Sequence, residues 1–257
     1  MKLFTLGTSA GTEPFPKHHH TSLAIETEKG VYFFDAGECA GYTAHLSGVD
    51  LLKTRAVFIT HPHMDHVGGL GNLLWYIRKM TFVRKAPLSG GNIDIYTPSR
   101  ETVDGFMMVL RNSEGGFVCE HTHTIYPVQD GLLFDNGDIS VTAVYTNHIK
   151  GENGEPISYA YQIRCEGKTI TFSGDMCIDD LPRILPETSD VFLVETGHHQ
   201  IEDVCTGVIE TGKTVKRLFF VHHGGYIMRD PEAALARAKA AFGDAVEITM
   251  DGNCYEI

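Results

Sequence analysis

At 257 residues the chain is long enough for one large domain or two small ones, with ample core in either case. Its 42% hydrophobic and 21% charged content is ordinary for a folded globular protein. A formal net charge of -12 leaves no overall field to attract polyanions, which weighs against nucleic acid and anionic membrane surfaces.

The opening Lys2–Leu6 is a predicted strand, and it breaks at Gly7 before a signal-peptide core can form. No apolar run approaches spanning length. The six cysteines, Cys39, Cys119, Cys165, Cys177, Cys205 and Cys254, contain no Cys-x-x-Cys pair and read as reduced thiols. A cytoplasmic protein with no membrane partner is expected. After the glycine-punctuated loop 7–12, His18-His19-His20 reads as a polar loop, with a place at the mouth of a site as the other reading. Ser22–Glu26 and Val31–Phe34 form a hairpin pattern closing on Asp35-Ala36-Gly37, and a short helix follows through Tyr42–Leu46.

Ala56–Ile59 is a short apolar run of buried-strand type, and Leu70–Ile77 carries helical apolar spacing. Between them stands Thr60-His61-Pro62-His63-Met64-Asp65-His66-Val67-Gly68-Gly69. Three imidazoles and a carboxylate thus fall in a strand-to-helix turn, where side chains converge and backbone N–H groups are available. Imidazole with carboxylate suits zinc and related divalent ions. His61 and His63 alternate and so point to one side of an extended chain. Asp65 and His66 follow at the turn, suited to a second ion.

Lys79–Lys85 reads as a solvated basic face, Ile93–Tyr96 as a strand and Arg100–Leu110 as a helix with Val103, Phe106, Met107 and Leu110 inward. The Met107-Met108 pair and Leu132-Leu133-Phe134 are assigned to core rather than to a dimer surface. His121-Thr122-His123 is assigned to an exposed strand. Strands follow at Ile139–Tyr145, Ile157–Arg164, Thr169–Phe172 and Val191–Val194. A helix near Ile201–Thr211, a strand Arg217–Val221, a helix Pro231–Phe242 and strands Val246–Met250 and Cys254–Ile257 complete the chain. Pro231 after Asp230 is a proper helix start. No linker or composition shift divides residues 1–257, so a single domain is expected.

Four strand ends carry further metal-capable groups: His148, Asp175, Glu195 with His198 and His199 after it, and His222-His223. The motif His61-x-His63-x-Asp65-His66, joined by these residues in order, resembles the metallo-β-lactamase-fold hydrolase superfamily over nearly the whole chain. The Gly7-Thr8-Ser9 opening, Phe34-Asp35-Ala36-Gly37 and Ser173-Gly174-Asp175 resemble its ribonuclease Z and phosphodiesterase branch. The resemblance implies an α/β protein, a four-layer αββα sandwich of two mixed sheets flanked by helices. It implies two divalent ions, with zinc first and manganese or iron as alternatives. His61, His63 and His148 would hold one ion, and Asp65, His66 and His222 the other. Asp175 would bridge them, together with a hydroxide that attacks the substrate. His222 is preferred to His223 as the first residue past the apolar strand.

The same resemblance points to His198 or His199 as proton donor to the leaving group, with Glu195 orienting it and Asp65 doubling as proton acceptor. Asp35 and Asn147 are expected to orient ligands. Ribonuclease Z carries a long tRNA-gripping arm between its third histidine and its bridging aspartate. Here that interval, 149–174, holds two predicted strands. The chain also lacks the Ser-x-Arg-Tyr continuation after the last histidine. The expected substrate is therefore a small phosphodiester or cyclic phosphate. A nuclease on RNA or DNA and a hydrolase of another ester or lactone are the alternatives. A di-iron redox protein or a metal sensor ranks below them, since His63 stands where redox relatives place Glu.

Overall fold

The computed structural model describes residues 1–113 and 115–257. The chain divides into two compact units: residues 1–7, 19–128 and 251–257 form one, and residues 8–18 and 129–250 the other.

The first unit is built on a seven-stranded sheet. Its strands in chain order are β1 (Lys2–Gly7), β2 (Ser22–Glu26), β3 (Val31–Phe34), β4 (Thr54–Phe58), β5 (Asn92–Thr97), β6 (Thr122–Pro127) and the closing strand Asn253–Glu256 beside β1. β1, β2 and β3 pair antiparallel, with Leu23 opposite Phe34 and Ile25 opposite Tyr32. From β3 to β6 the pairing is parallel. The parallel half explains the unbroken apolar runs Val31–Phe34 and Ala56–Phe58. Such strands are buried on both faces and need no polar alternation. Helices α1 (Ala40–Leu46), α2 (Met64–Val67), α3 (Leu70–Arg84) and α4 (Arg100–Arg111) connect them. α3 places Leu70, Leu73, Leu74 and Ile77 against Phe33, Val57 and Ile95, a core from which water is excluded. Ser99 caps α4 by accepting from the Thr102 amide at 3.3 Å.

The second unit repeats the scheme. β7 (Gly131–Asp135), β8 (Ile139–Tyr145), β9 (Tyr159–Cys165) and β10 (Lys168–Phe172) pair antiparallel in sequence. A minor strand, β11 (Thr188–Ser189), follows. β12 (Val191–Thr196) then lies parallel to β10. A second minor strand, β13 (Thr214–Val215), pairs with β11, and β14 (Leu218–His223) and β15 (Val246–Ile248) extend the main sheet in parallel. Helices α5 (Leu181–Ile184), α6 (Ile201–Glu210), α7 (Gly225–Arg229) and α8 (Pro231–Phe242) accompany this sheet, and Val204, Val208, Ala234 and Ala238 join its core. Asp230 caps α8 through the Ala233 amide at 2.9 Å, as its sequence implied. Among the described residues no helix is long and apolar enough to cross a membrane.

Three assignments change. Leu132-Leu133-Phe134 is strand β7 at the edge of its sheet, with Leu132 exposed rather than in the core. Of the methionine pair, Met107 is buried and Met108 exposed, because neighbours on a helix lie 100° apart and α4 buries one stripe only. His121, expected to be exposed, is buried just before β6. Its ring meets that of His123 at 5.0 Å, and Phe117 stacks on His123 at 5.9 Å. Burial first, then the charges of His121 and Arg111, lower the His123 pKa to about 4.

That depression has a thermodynamic consequence. The unfolded chain takes up a proton at His123 near pH 6.5 while the folded chain refuses it until about pH 4. Stability therefore falls as pH drops through this window and is regained as pH rises, by about 3 kcal/mol over the window. Urea denaturation of His123→Phe and wild-type protein at pH 7 and pH 4.5 checks it. The variant should lose less stability on acidification, and an equal loss refutes the assignment.

Candidate metal centre

Nearly all the candidate residues stand just past the C-terminal ends of parallel strands, where an open α/β sheet exposes its loop groups. In the first unit, β3 delivers Asp35 and β4 delivers His61. Asp35 is fully buried and adopts φ 59°, a left-handed conformation that Asp tolerates better than most residues. Its Oδ1 accepts from the Thr60 amide at 2.7 Å and its Oδ2 from the Thr60 hydroxyl at 2.9 Å. The same Oδ2 lies 2.7 Å from His66 Nδ1. Burial raises the Asp35 pKa against the opposing pull of His66 and the Thr60 bonds. With Nδ1 so engaged, Nε2 is the nitrogen His66 turns toward the Asp65 carboxylate, 3.5 Å away.

His61 Nδ1 is likewise 3.0 Å from the Thr60 hydroxyl. The His61 ring lies 4.6 Å from that of His63 and 4.1 Å from that of His66. The turn brings His61, His63, Asp65 and His66 together as the sequence proposed. Asp35, expected to orient a ligand, contacts the ring of His66. Gly37 makes the close packing possible: a Cβ there would sit 2.5 Å from the Asp65 carbonyl oxygen and 2.6 Å from the His20 carbonyl carbon.

In the second unit, β10 ends at Phe172 and turns through Gly174, at φ 53°, into Asp175. Asp175 is buried, and imidazoles surround it. Its Oδ2 is 3.4 Å from His148 Nε2 and its Oδ1 3.4 Å from His222 Nε2. His198 Nδ1 stands 3.8 Å from the Asp175 carboxylate. Within this unit, atoms of Asp175, Glu195, His198 and His222 lie within 4.8 Å of one another. A buried carboxylate ringed by histidines in the second unit, and in the first unit three imidazoles and a carboxylate in one turn, are borderline-donor chemistry. Such chemistry fits a divalent metal.

The neighbours His222 and His223 are separated by backbone geometry. β14 runs through both, so His222 is not the first residue beyond the strand. Instead the register against β12 slips there: Glu195 faces Val221 and Thr196 faces His223, leaving His222 as a bulge at φ 49°. A bulge re-aims one side chain. His222 turns to Asp175, while His223 is fixed inside: its Nε2 lies 2.8 Å from the Thr249 carbonyl and its Nδ1 3.3 Å from the Thr196 hydroxyl. Burial lowers the His223 pKa to about 4. His223 is structural.

The other ambiguous pair divides as clearly. His199 Nε2 is 2.9 Å from the Met176 carbonyl, and the Tyr226 hydroxyl donates to the His199 carbonyl at 3.1 Å. His198 is held at Nδ1 by Glu195, 2.9 Å away, and its ring lies 4.9 Å from His148 and 5.6 Å from His222. Glu195 is fully buried and accepts from the Met176 and His198 amides at 3.0 Å each. Burial works to raise the Glu195 pKa, but the hydrogen bonds and charges of His198 and His222 prevail and hold it well below the ordinary value. The bond to Glu195 raises the His198 pKa.

Sequence reasoning missed Asp180. It is buried and accepts from the Asn147 amide at 2.8 Å and the Asn147 side chain at 2.6 Å. It also accepts from the Cys177 amide at 3.0 Å and from Arg183 at 2.6 Å. Asn147 therefore orients the loop before His148 through Asp180 rather than touching a ligand itself. The pair Asp179-Asp180 ahead of Leu181-Pro182 was legible only as a helix start.

Residues 1–204 match the family model described as Anti-Pycsar protein Apyc1. Ribonuclease Z of Methanothermobacter thermautotrophicus is 30% identical over 151 residues, 58% of this chain and 45% of that protein. The chain spans about half the length of the curated relatives it matches. Human tRNase Z, short form, superposes with a TM-score of 0.74 at 20% identity over 100% of this chain and 99% of that one. The metallo-β-lactamase-fold protein YhfI from Bacillus subtilis gives 0.73 at 18% identity, covering 99% of each chain. The fold is that of the metallo-β-lactamases.

Proposed function

We propose, from the premise that the chain belongs to the family of Anti-Pycsar protein Apyc1, that it is a two-metal phosphodiesterase acting on a small phosphodiester or cyclic phosphate. The observation that carries this reading is Asp175, buried among His148, His198 and His222. A buried carboxylate facing so many imidazoles is suited to a shared cation. The proposed ligands are those named from the sequence: His61, His63 and His148 for one ion, Asp65, His66 and His222 for the other, and Asp175 for both. Zinc is the first choice, with manganese and iron as alternatives, and residues 1–257 act as one cytoplasmic hydrolase domain.

When bound, such ions lower the pKa of water to near neutrality and offset charge on the attacked phosphate. The chain supplies the rest. Asp35 fixes the ring of His66, and Thr60 that of His61. Asp65 takes the proton of the attacking water. His198, oriented by Glu195, gives a proton to the departing oxygen, a contribution of roughly 10²–10⁴-fold for a positioned acid. His199, committed to the Met176 carbonyl, is not the donor.

Hydrolysis of bis(p-nitrophenyl) phosphate by zinc- and manganese-reconstituted protein tests the reading. Turnover is expected, and Asp65→Ala should lower it at least about 100-fold. Protein that holds two ions per chain yet cleaves no diester would move the assignment to another ester or a lactone. A nuclease reading is favoured by the ribonuclease Z likeness, and short RNA belongs in the same assay as a competing substrate.

A further inference from the structure

Within the second unit, the segments that carry His148 and Asp175 are joined through one buried carboxylate. Asp180 closes the single helical turn Ile178–Asp180 and is fully buried. Its Oδ2 accepts from the Asn147 amide, just before His148, and from the Cys177 amide, two residues past Asp175. Its Oδ1 accepts from the Asn147 side chain and from Arg183. Arg183 closes the circuit: its Nε donates to the Tyr145 carbonyl at 3.1 Å, and its guanidinium lies over the Tyr145 ring at 3.8 Å. The support is firm, because Leu181 and Ile184 of α5 are buried in the core of this unit.

We infer that Asp180 is a positioning residue that sets His148 against Asp175, holding His148 Nε2 and Asp175 Oδ2 at 3.4 Å so that the pair is ready for a shared cation. His148 follows β8 and Asp175 follows β10, so nothing in their local backbone couples them. A cation bound by two uncoupled loops must order both, and that ordering is subtracted from its affinity. Asp180 removes the cost by tying both segments to one turn. The chemistry requires an aspartate. An ionised carboxylate is acceptor-only with about four lone-pair sites, and here four N–H donors converge on its two oxygens. An asparagine would turn an NH2 group toward two of those donors in either orientation. Hydrogen bonds to an ionised acceptor are also the stronger kind. The inference rests on the reading of His148 and Asp175 as metal ligands, and it names the residue that spaces them.

The test measures zinc affinity by chelator competition, with circular dichroism as the check on folding. Asp180→Asn should lower the affinity about tenfold or more, as expected for a group that holds ligating residues in place. Val246→Ala is the control for lost stability alone. Val246 is buried on β15 opposite Leu218, at the end of β14 remote from His222, and its truncation should leave zinc affinity unchanged. Amide hydrogen exchange in zinc-free protein is the second readout: the Asn147 and Cys177 amides should exchange faster in Asp180→Asn, and those of β12 should not. If Asp180→Asn fails to fold, Asn147→Ala, which removes one of the four bonds, should weaken zinc about threefold. Unchanged zinc affinity in the folded variant, a loss no larger than that of Val246→Ala, or unchanged exchange at the two amides overturns the inference. Wild-type protein that holds no zinc overturns the ligand reading instead, and amide exchange then judges the Asp180 tie by itself.

Discussion

Asp175→Ala is expected to strip the protein of bound metal and to lower diester hydrolysis by 10³-fold or more, about 4 kcal/mol or above in the transition state. Three imidazoles from separate elements, His148, His198 and His222, lie within 3.8 Å of this one carboxylate. Without it, a cation drawn to the same place would lose the carboxylate that all three rings face. The loop itself should persist, since the contact that seats it is the Thr146 hydroxyl donating to the Asp175 main-chain carbonyl at 2.8 Å. Metal content by plasma emission spectroscopy, read with circular dichroism, separates loss of the ion from loss of the fold. A folded Asp175→Ala protein that keeps two ions and near-normal turnover would show that the ligand set has been misassigned.

Asp35→Ala should act on stability and on metal at once. The substitution takes the acceptor from the Thr60 amide, the Thr60 hydroxyl and His66 Nδ1, all buried. Breaking a buried, hydrogen-bonded charged network from one side costs about 3–5 kcal/mol. Loss of the group that orients a metal-ligating histidine lowers metal affinity by roughly 10–100-fold. Urea denaturation of the metal-free protein reads the first effect, and competition with a zinc chelator reads the second. Asp35→Asn, which keeps an acceptor oxygen, should recover part of the stability. A chelator curve unmoved in Asp35→Ala would mean that His66 is held by other contacts or is not a ligand.

The proposed ligand residues stand out in the sequence because their chemistry is dense and local. His61, His63, Asp65 and His66 occupy one turn, Asp175 and His222 follow apolar runs of buried-strand type, and His148 follows the alternating strand β8. Helix Pro231–Phe242 and the hairpin of β2 and β3 were equally plain, since capping residues and short alternating strands carry their own signals. β7 and the burial of His121 were not, because both lie at sheet edges, where the neighbouring strand, rather than local pattern, decides what is covered.

By itself the sequence determined which side chains are candidates for metal, that they sit at or near strand ends, and that the chain is of the metallo-β-lactamase kind. Tertiary structure decided between neighbours. His222 differs from His223 through a one-residue bulge against β12, and His198 from His199 because the His198 ring is hydrogen-bonded to Glu195 while the His199 ring is hydrogen-bonded to the Met176 carbonyl. Adjacent identical residues have the same local propensities. Only the register of a strand and the carbonyls and carboxylates brought up from distant parts of the chain distinguish them, and those are set by long-range pairing.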